Sequence, residues 1–88
     1  MIAKLVHYSG HVQGVGFRYT AQRIASGFVV HGYVRNLPGG DVELWAEGDA
    51  GEVERFLDAL ARQMAEHIAG KRVQEQTPRA LTEFTIRP

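Results

Sequence analysis

Along the first dozen residues Val6, Tyr8, Gly10 and Val12 alternate with Leu5, His7, Ser9 and His11. That is the two-residue period of a half-buried strand, and it predicts one over residues 3 to 12. Gly14 and Gly16 interrupt the alternation. From Phe17 the apolar positions become Phe17, Ala21, Ile24, Ala25 and Phe28, spaced as one helical face, which predicts a helix over residues 17 to 27. Val30, Gly32 and Val34 then alternate with His31, Tyr33 and Arg35, and Val42, Leu44 and Ala46 with Glu43, Trp45 and Glu47. The short Leu37-Pro38-Gly39-Gly40 connection makes these the two arms of a hairpin.

A second helix is the firmest prediction. Asp49 with Glu52 has the layout of a capping box, and Val53, Phe56, Leu57, Leu60 and Met64 follow at helical spacing. Gly70 is expected to end that helix or lie just past it. The stretch from Lys71 to Thr77 has only Val73 as an apolar anchor, so a fourth strand there is weakly signalled. Pro78 breaks the chain, and Phe84 and Ile86 alternate with Thr85 and Arg87 as a short terminal strand. The order is βαββαβ, with room for a short extra edge strand at the C-terminus. Two helices packed on one face of an antiparallel sheet bury these stripes economically, which gives an α+β, ferredoxin-like sandwich.

The 88 residues suffice for one small domain, expected to span 1–88. Cysteine is absent, which excludes disulfides, thiolate catalysis and Cys-based zinc or iron–sulfur sites. Apolar runs of two or three residues leave no membrane span or signal-peptide core, so a cytoplasmic location and no membrane partner are expected. The formal net charge is zero, unlike the basic footprint of a nucleic-acid binder, and no nucleic-acid partner is expected. Charge is unevenly distributed, however. Residues 1 to 40 carry Lys4, Arg18, Arg23 and Arg35 and no acid, whereas residues 41 to 88 carry six basic and ten acidic groups. The first half is prepared for an anion and has no carboxylate to act as general base or metal ligand.

The segment Gly10-His11-Val12-Gln13-Gly14-Val15-Gly16-Phe17-Arg18 passes from a strand through a glycine-rich loop into a helix start. Glycines let successive backbone N–H groups converge on a small anion, the helix start adds unpaired donors, and Arg18 supplies a guanidinium that grips two oxygens. On spacing alone, a tight turn with a surface arginine explains the segment equally well, because it lacks the Lys-Ser/Thr of a P-loop and the third glycine of a dinucleotide fingerprint.

The residues also resemble a specific family. Gly10-x-Val12-Gln13-Gly14-Val15-x-Phe17-Arg18 is similar to the first signature of the acylphosphatases, and Gly32-Tyr33-Val34-Arg35-Asn36 to the second, with Tyr33 where tryptophan is frequent. Gly40-Asp41-Val42-Glu43 and Ala46-Glu47-Gly48 follow in order. The resemblance covers residues 4 to about 60 well and the remainder in outline. It implies a ferredoxin-like fold and a monomeric enzyme that hydrolyses small-molecule acyl phosphates to carboxylate and inorganic phosphate, without metal, cofactor or covalent intermediate. By position, Arg18 and the backbone N–H groups of Gln13, Gly14, Val15, Gly16 and Phe17 would bind the phosphoryl group, and Asn36 would hold the attacking water. Asn36 is expected at a strand end, off the Val30/Val34 core stripe. The alternative is a non-catalytic module that binds phosphate or carbamoyl phosphate, as such domains do inside hydrogenase maturation factors. That alternative is expected to be the weaker one, since no further segment is expected after residue 88 for such a module to serve.

Other polar residues read as structural. His7 and His11 lie roughly 13 Å apart along a strand, too far for one zinc ion. His7, Ser9, His11 and His67 are therefore expected at the surface. Tyr33 and Trp45 on the open sheet face resemble an RNA-binding platform, but Glu43 and Glu47 beside Trp45 would repel phosphates, so cross-strand packing is the expectation. Arg35 belongs to the anion field or to a solvated strand, and Asp58 with Arg62 forms an i,i+4 pair.

Overall fold

The computed structural model describes residues 1–88. Seven elements follow in order: β1 (Ile2–Gly10), α1 (Phe17–Ala25), β2 (Val30–Asn36), β3 (Val42–Gly48), α2 (Ala50–Gln63), β4 (Ile68–Gln76) and β5 (Phe84–Ile86). They build one five-stranded sheet in the order β4-β1-β3-β2-β5, with both helices packed on one face. β1 pairs antiparallel with β3 and β4, and β2 antiparallel with β3. The terminal strand β5 exists and departs from the all-antiparallel expectation, since it pairs parallel to β2.

Between sheet and helices lies a core of 16 buried residues, into which α1 sends Phe17, Ala21 and Ala25 and α2 sends Val53, Phe56, Leu57 and Leu60. Phe56 ties the layers together, with its ring 6.3 Å from Phe28 and 5.4 Å edge-on to Phe84.

Three local expectations are corrected. β1 ends at Gly10, not residue 12; Val12 is buried by turning into the core from the loop. Asp49 is the N-cap of α2 but its side chain makes no capping bond. Glu52 instead accepts the Val29 N–H at 2.8 Å and the Arg55 guanidinium, tying the start of α2 to the approach to β2. Gly70 lies inside β4, opposite Ser9, and α2 stops seven residues earlier at Gln63.

Topology positions the site. β1 and β2 flank β3 and run parallel to each other, so Gly10 and Asn36, their last residues, emerge at the same end of the sheet. Ile86 at the end of β5 points the same way. β4 and β5 occupy opposite edges, so the chain between Gln76 and Phe84 must cross the face that the helices leave open. Four strand spacings are about 19 Å, within the reach of eight extended steps at about 3.3 Å each.

Candidate active site

The loop after β1 enters α1 through two left-handed residues, Gly14 at φ 78° and Gly16 at φ 77°, and Gly16 is the N-cap of the helix. A side chain at either position would meet open space, so glycine is required there by backbone conformation and not by crowding. No backbone N–H from Gly14 to Tyr19 donates to a protein oxygen; Thr20 is the first that does, to the Gly16 carbonyl at 2.9 Å. The first turn of α1 contains no acidic residue to compete for these donors. Gly14, Gly16, Arg18 and Asn36 line a single cavity of about 220 Å³, completed by Val12, Phe17, Tyr19 and Ile86.

Arg18 and Asn36 are both partly buried. No ion pair engages the Arg18 guanidinium, and neither side chain is held by a protein hydrogen bond. Asn36 corrects the expected placement. It has the same parity as Val30 and Val34 and therefore continues their helix-facing side of the sheet beyond the core, into the cavity. No Asp, Glu or His lines the cavity, and no group of three or more His, Asp or Glu is gathered to hold a metal ion.

Two loop residues turn their side chains away from the cavity. Gln13 and Val15 do not line the cavity. Val15 packs against the core, and the Gln13 amide donates to the Leu37 and Asp41 carbonyls, both at 2.8 Å. The same Leu37 and Asp41 close the hairpin loop, where Leu37 N–H donates to the Asp41 carbonyl at 2.8 Å. Gln13 is thus a strut that fixes the loop bearing Gly14 and Gly16 against the hairpin that begins just after Asn36. Sequence reasoning did not detect this role, nor the presence of Tyr19 and Ile86 in the cavity wall. The signal available for Tyr19 was its place next to Arg18 in the first helical turn.

Glu43 and Glu47 sit on the opposite sheet face, and neither is a free surface group. Glu43 accepts from Arg35 Nε at 2.7 Å, Tyr33 Oη at 2.9 Å and His7 Nε2 at 3.0 Å. Burial pushes its carboxyl up, but these three donors outweigh it and hold the pKa at about 2. Glu47, 1% exposed, accepts from Trp45 Nε1 at 2.8 Å and from the Arg79 and Leu81 backbone N–H groups at 2.9 and 3.0 Å. Left-handed Ala80, at φ 57°, turns those two N–H groups onto one carboxylate. Its pKa is lowered despite burial, because these hydrogen bonds favour the ionised form. Trp45 is buried and stacks on Tyr33 across the β2–β3 pair, as cross-strand packing requires, with centroids 6.4 Å apart. The Arg79 and Arg87 guanidiniums cover the two rings at 3.9 and 4.0 Å. Ser9 is partly buried and donates to the Gly70 carbonyl at 3.3 Å, and the His11 and His67 rings lie 6.1 Å apart. The Asp58–Arg62 pair is present at 2.9 Å.

Comparison with known proteins agrees with the motifs. The acylphosphatase family profile matches residues 4–86. The chain is 41% identical to an acylphosphatase of Thermotoga maritima over 99% of its own length and 98% of the relative's. It belongs to the acylphosphatase family. Membership places it among enzymes, and solved acylphosphatase structures share its fold. The crystal structure of the Bacillus subtilis acylphosphatase superimposes with a TM-score of 0.90 at 29% identity, covering all of both chains. The chain also matches part of T. kodakarensis HypF, with a TM-score of 0.87 and 31% identity, over all of this chain but 12% of that one. No helix is long and apolar enough to cross a membrane.

Proposed function

We propose that the chain hydrolyses carboxyl-phosphate anhydrides, with Arg18 and the free amides of the glycine loop binding the phosphoryl group and Asn36 orienting the attacking water. The observation that carries this reading is the pairing pattern. A guanidinium, a row of backbone N–H groups and a carboxamide, all without protein partners, line one cavity. Arg18 and Asn36 are half-buried and the glycine amides open, so the set is free to meet a ligand with complementary oxygens at a helix start.

The chemistry asks for little else. Water oxygen attacks phosphorus while the phosphorus–carboxylate oxygen bond breaks, the carboxylate leaves as a weak base, and the proton of the water passes to a phosphoryl oxygen. An acyl phosphate is already activated by its leaving group, so charge neutralisation and an in-line water are sufficient. A carboxylate base in the cavity would repel the phosphoryl oxygens, and none lines it. The reading requires neither metal nor cofactor, and it includes a cytoplasmic monomer.

The test is release of inorganic phosphate from benzoyl phosphate by the purified chain with a metal chelator present. Turnover that persists in chelator and is inhibited by added inorganic phosphate is the expected result. Indifference to tens of millimolar phosphate would remove the anion-site assignment. Phosphate binding without turnover would support the non-catalytic reading that the match to part of HypF keeps open.

A further inference from the structure

The cavity is polar at the glycine loop and apolar at its mouth. Val12 and Phe17 are 1% and 2% exposed and belong to the core, but Tyr19 is 69% and Ile86 37% exposed. The other exposed large apolar residues, Met1, Val29 and Val73, lie elsewhere, so two of five sit on the rim of this one cavity. They reach it from separate elements. Tyr19 follows Arg18 in the first turn of α1, about 100° further round the helix. Ile86 pairs with Val34 and so lies on the helix-facing side of the sheet, the side that carries Asn36. The Tyr19 hydroxyl makes no protein hydrogen bond, and no aromatic neighbour covers the ring.

We propose that Tyr19 and Ile86 form the subsite for the acyl half of the substrate, and that the chain prefers acyl phosphates whose acyl group is apolar and uncharged, aromatic above all. This rests on the hydrolase reading given above. With the phosphoryl group held by the glycine loop and Arg18, the bridging oxygen and its acyl carbon must leave the loop towards the mouth, where the accessible apolar surface is that of these two side chains. Charge sharpens the choice. Arg18 is the one charged residue in the wall and is committed to the phosphoryl oxygens. No second cation is present to receive the free carboxylate of a dicarboxylic acyl group, and no acid is present to receive an acyl group bearing an ammonium. An aromatic acyl group would stack against Tyr19 and bury apolar surface that is otherwise wet.

The experiment compares kcat/KM for benzoyl phosphate and acetyl phosphate in the unaltered chain, Tyr19→Ala, Tyr19→Phe and Ile86→Ala. The unaltered chain is expected to favour benzoyl phosphate. Tyr19→Ala should lower kcat/KM for benzoyl phosphate about tenfold more than for acetyl phosphate, mainly through KM, on the scale of one lost apolar contact in a binding site. Tyr19→Phe should retain the preference, and Ile86→Ala should erode it less than Tyr19→Ala. Inhibition by inorganic phosphate, which lacks an acyl group, should be the same in Tyr19→Ala as in the unaltered chain. Equal losses on the two substrates, or no loss on either, overturn the subsite while leaving the hydrolase reading intact. Absence of turnover on both substrates by the unaltered chain overturns the hydrolase reading and the subsite with it.

Discussion

The two faces of the sheet treat polar groups in opposite ways. On the open face, Glu43 and Glu47 each accept three hydrogen bonds, and Arg35, Arg79 and Arg87 are all engaged by a carboxylate or an aromatic ring. At the end of the helix-covered face, Arg18, Asn36 and the amides from Gly14 to Tyr19 have no protein partner. Both sets consist of ordinary charged side chains and amide groups. What separates them is satisfaction. A group whose partners are supplied by the fold stabilises the fold, whereas one held open beside a cavity is available to a ligand. The lesson is one of sign as well as count. The open face mixes acids with bases and neutralises itself, but the cavity contributes one cation and no acid.

The comparison breaks most visibly at its two arginines. Arg18→Ala removes the only cationic side chain in the cavity and no hydrogen bond or ion pair within the protein, so turnover of benzoyl phosphate should fall by about 10³-fold or more while thermal stability changes little. Arg18→Lys should recover little, because a point charge does not reproduce the two-oxygen grip. Arg35→Ala should do the reverse. It strips a partner from Glu43 at 2.7 Å and should lower the melting temperature while specific activity of the folded protein persists. Matched losses of activity in the two variants would erase the distinction between the faces.

Asn36 is the next test. Its neutral amide orients water but adds little to the charge that binds substrate, so Asn36→Ala should lower kcat by about 10²-fold and leave inhibition by phosphate nearly intact. Steady-state rates with and without added phosphate check the split. If Asn36 only satisfied the neighbouring hairpin, the variant would lose stability and keep its kcat; the absence of any hydrogen bond from its side chain to the Leu37–Asp41 loop argues against that role.

The legibility of the molecule follows the same division between local and long-range causes. α2 was readable from Val53, Phe56, Leu57, Leu60 and Met64 because one amphipathic stripe is written in consecutive turns and four helix residues of it are buried. β4 was barely readable because the eight residues after Ile68 turn little or no apolar surface inward, and it is held at the edge by backbone pairing with β1. The glycine-rich turn into α1 was legible, since φ above zero at Gly14 and Gly16 and a helix start at Phe17 are local properties. The Gln13 strut was not, because its acceptors lie 24 and 28 residues away. Nor was the burial of Glu47, which depends on the chain after β4 crossing the open face and presenting Arg79 and Leu81 to it.

A smaller effect separates the faces by pH. The folded protein holds the Glu43 carboxyl at about 2, against an ordinary 4.5, so between those values the unfolded chain binds a proton that the folded chain refuses. Its contribution to stability is therefore complete above about pH 5 and is lost as pH falls towards 2. Urea midpoints measured across that interval should decline in the unaltered chain and decline less steeply in Glu43→Gln, which keeps the shape but cannot titrate. The groups facing Glu43 are Arg35, Tyr33 and His7. Parallel slopes for the two proteins would mean that Glu43 is not the group responsible.

The smallest predicted effect probes an unsatisfied group inside the core, away from both the cavity and the open face. Tyr8 is fully buried beneath α1, its ring 4.9 Å from that of Phe17, and its hydroxyl has no hydrogen-bond partner. Burial alone raises its pKa far above the ordinary value of 10, so the phenol remains neutral. It is not among the residues lining the cavity, and an unpaired group that faces no cavity has no ligand to meet. Tyr8→Phe would relieve the desolvation of an unmade hydrogen bond, a cost of about 1–3 kcal/mol, and would forfeit the packing of one oxygen atom in return. The net expectation is a stability gain of up to about 1 kcal/mol, with unchanged activity. Urea denaturation of both proteins at neutral pH, with equal m-values, measures it. A loss of stability instead would show that the hydroxyl is paired in solution, by a buried water or a shifted neighbour, and that openness at the cavity is then the only unsatisfied polarity the fold retains.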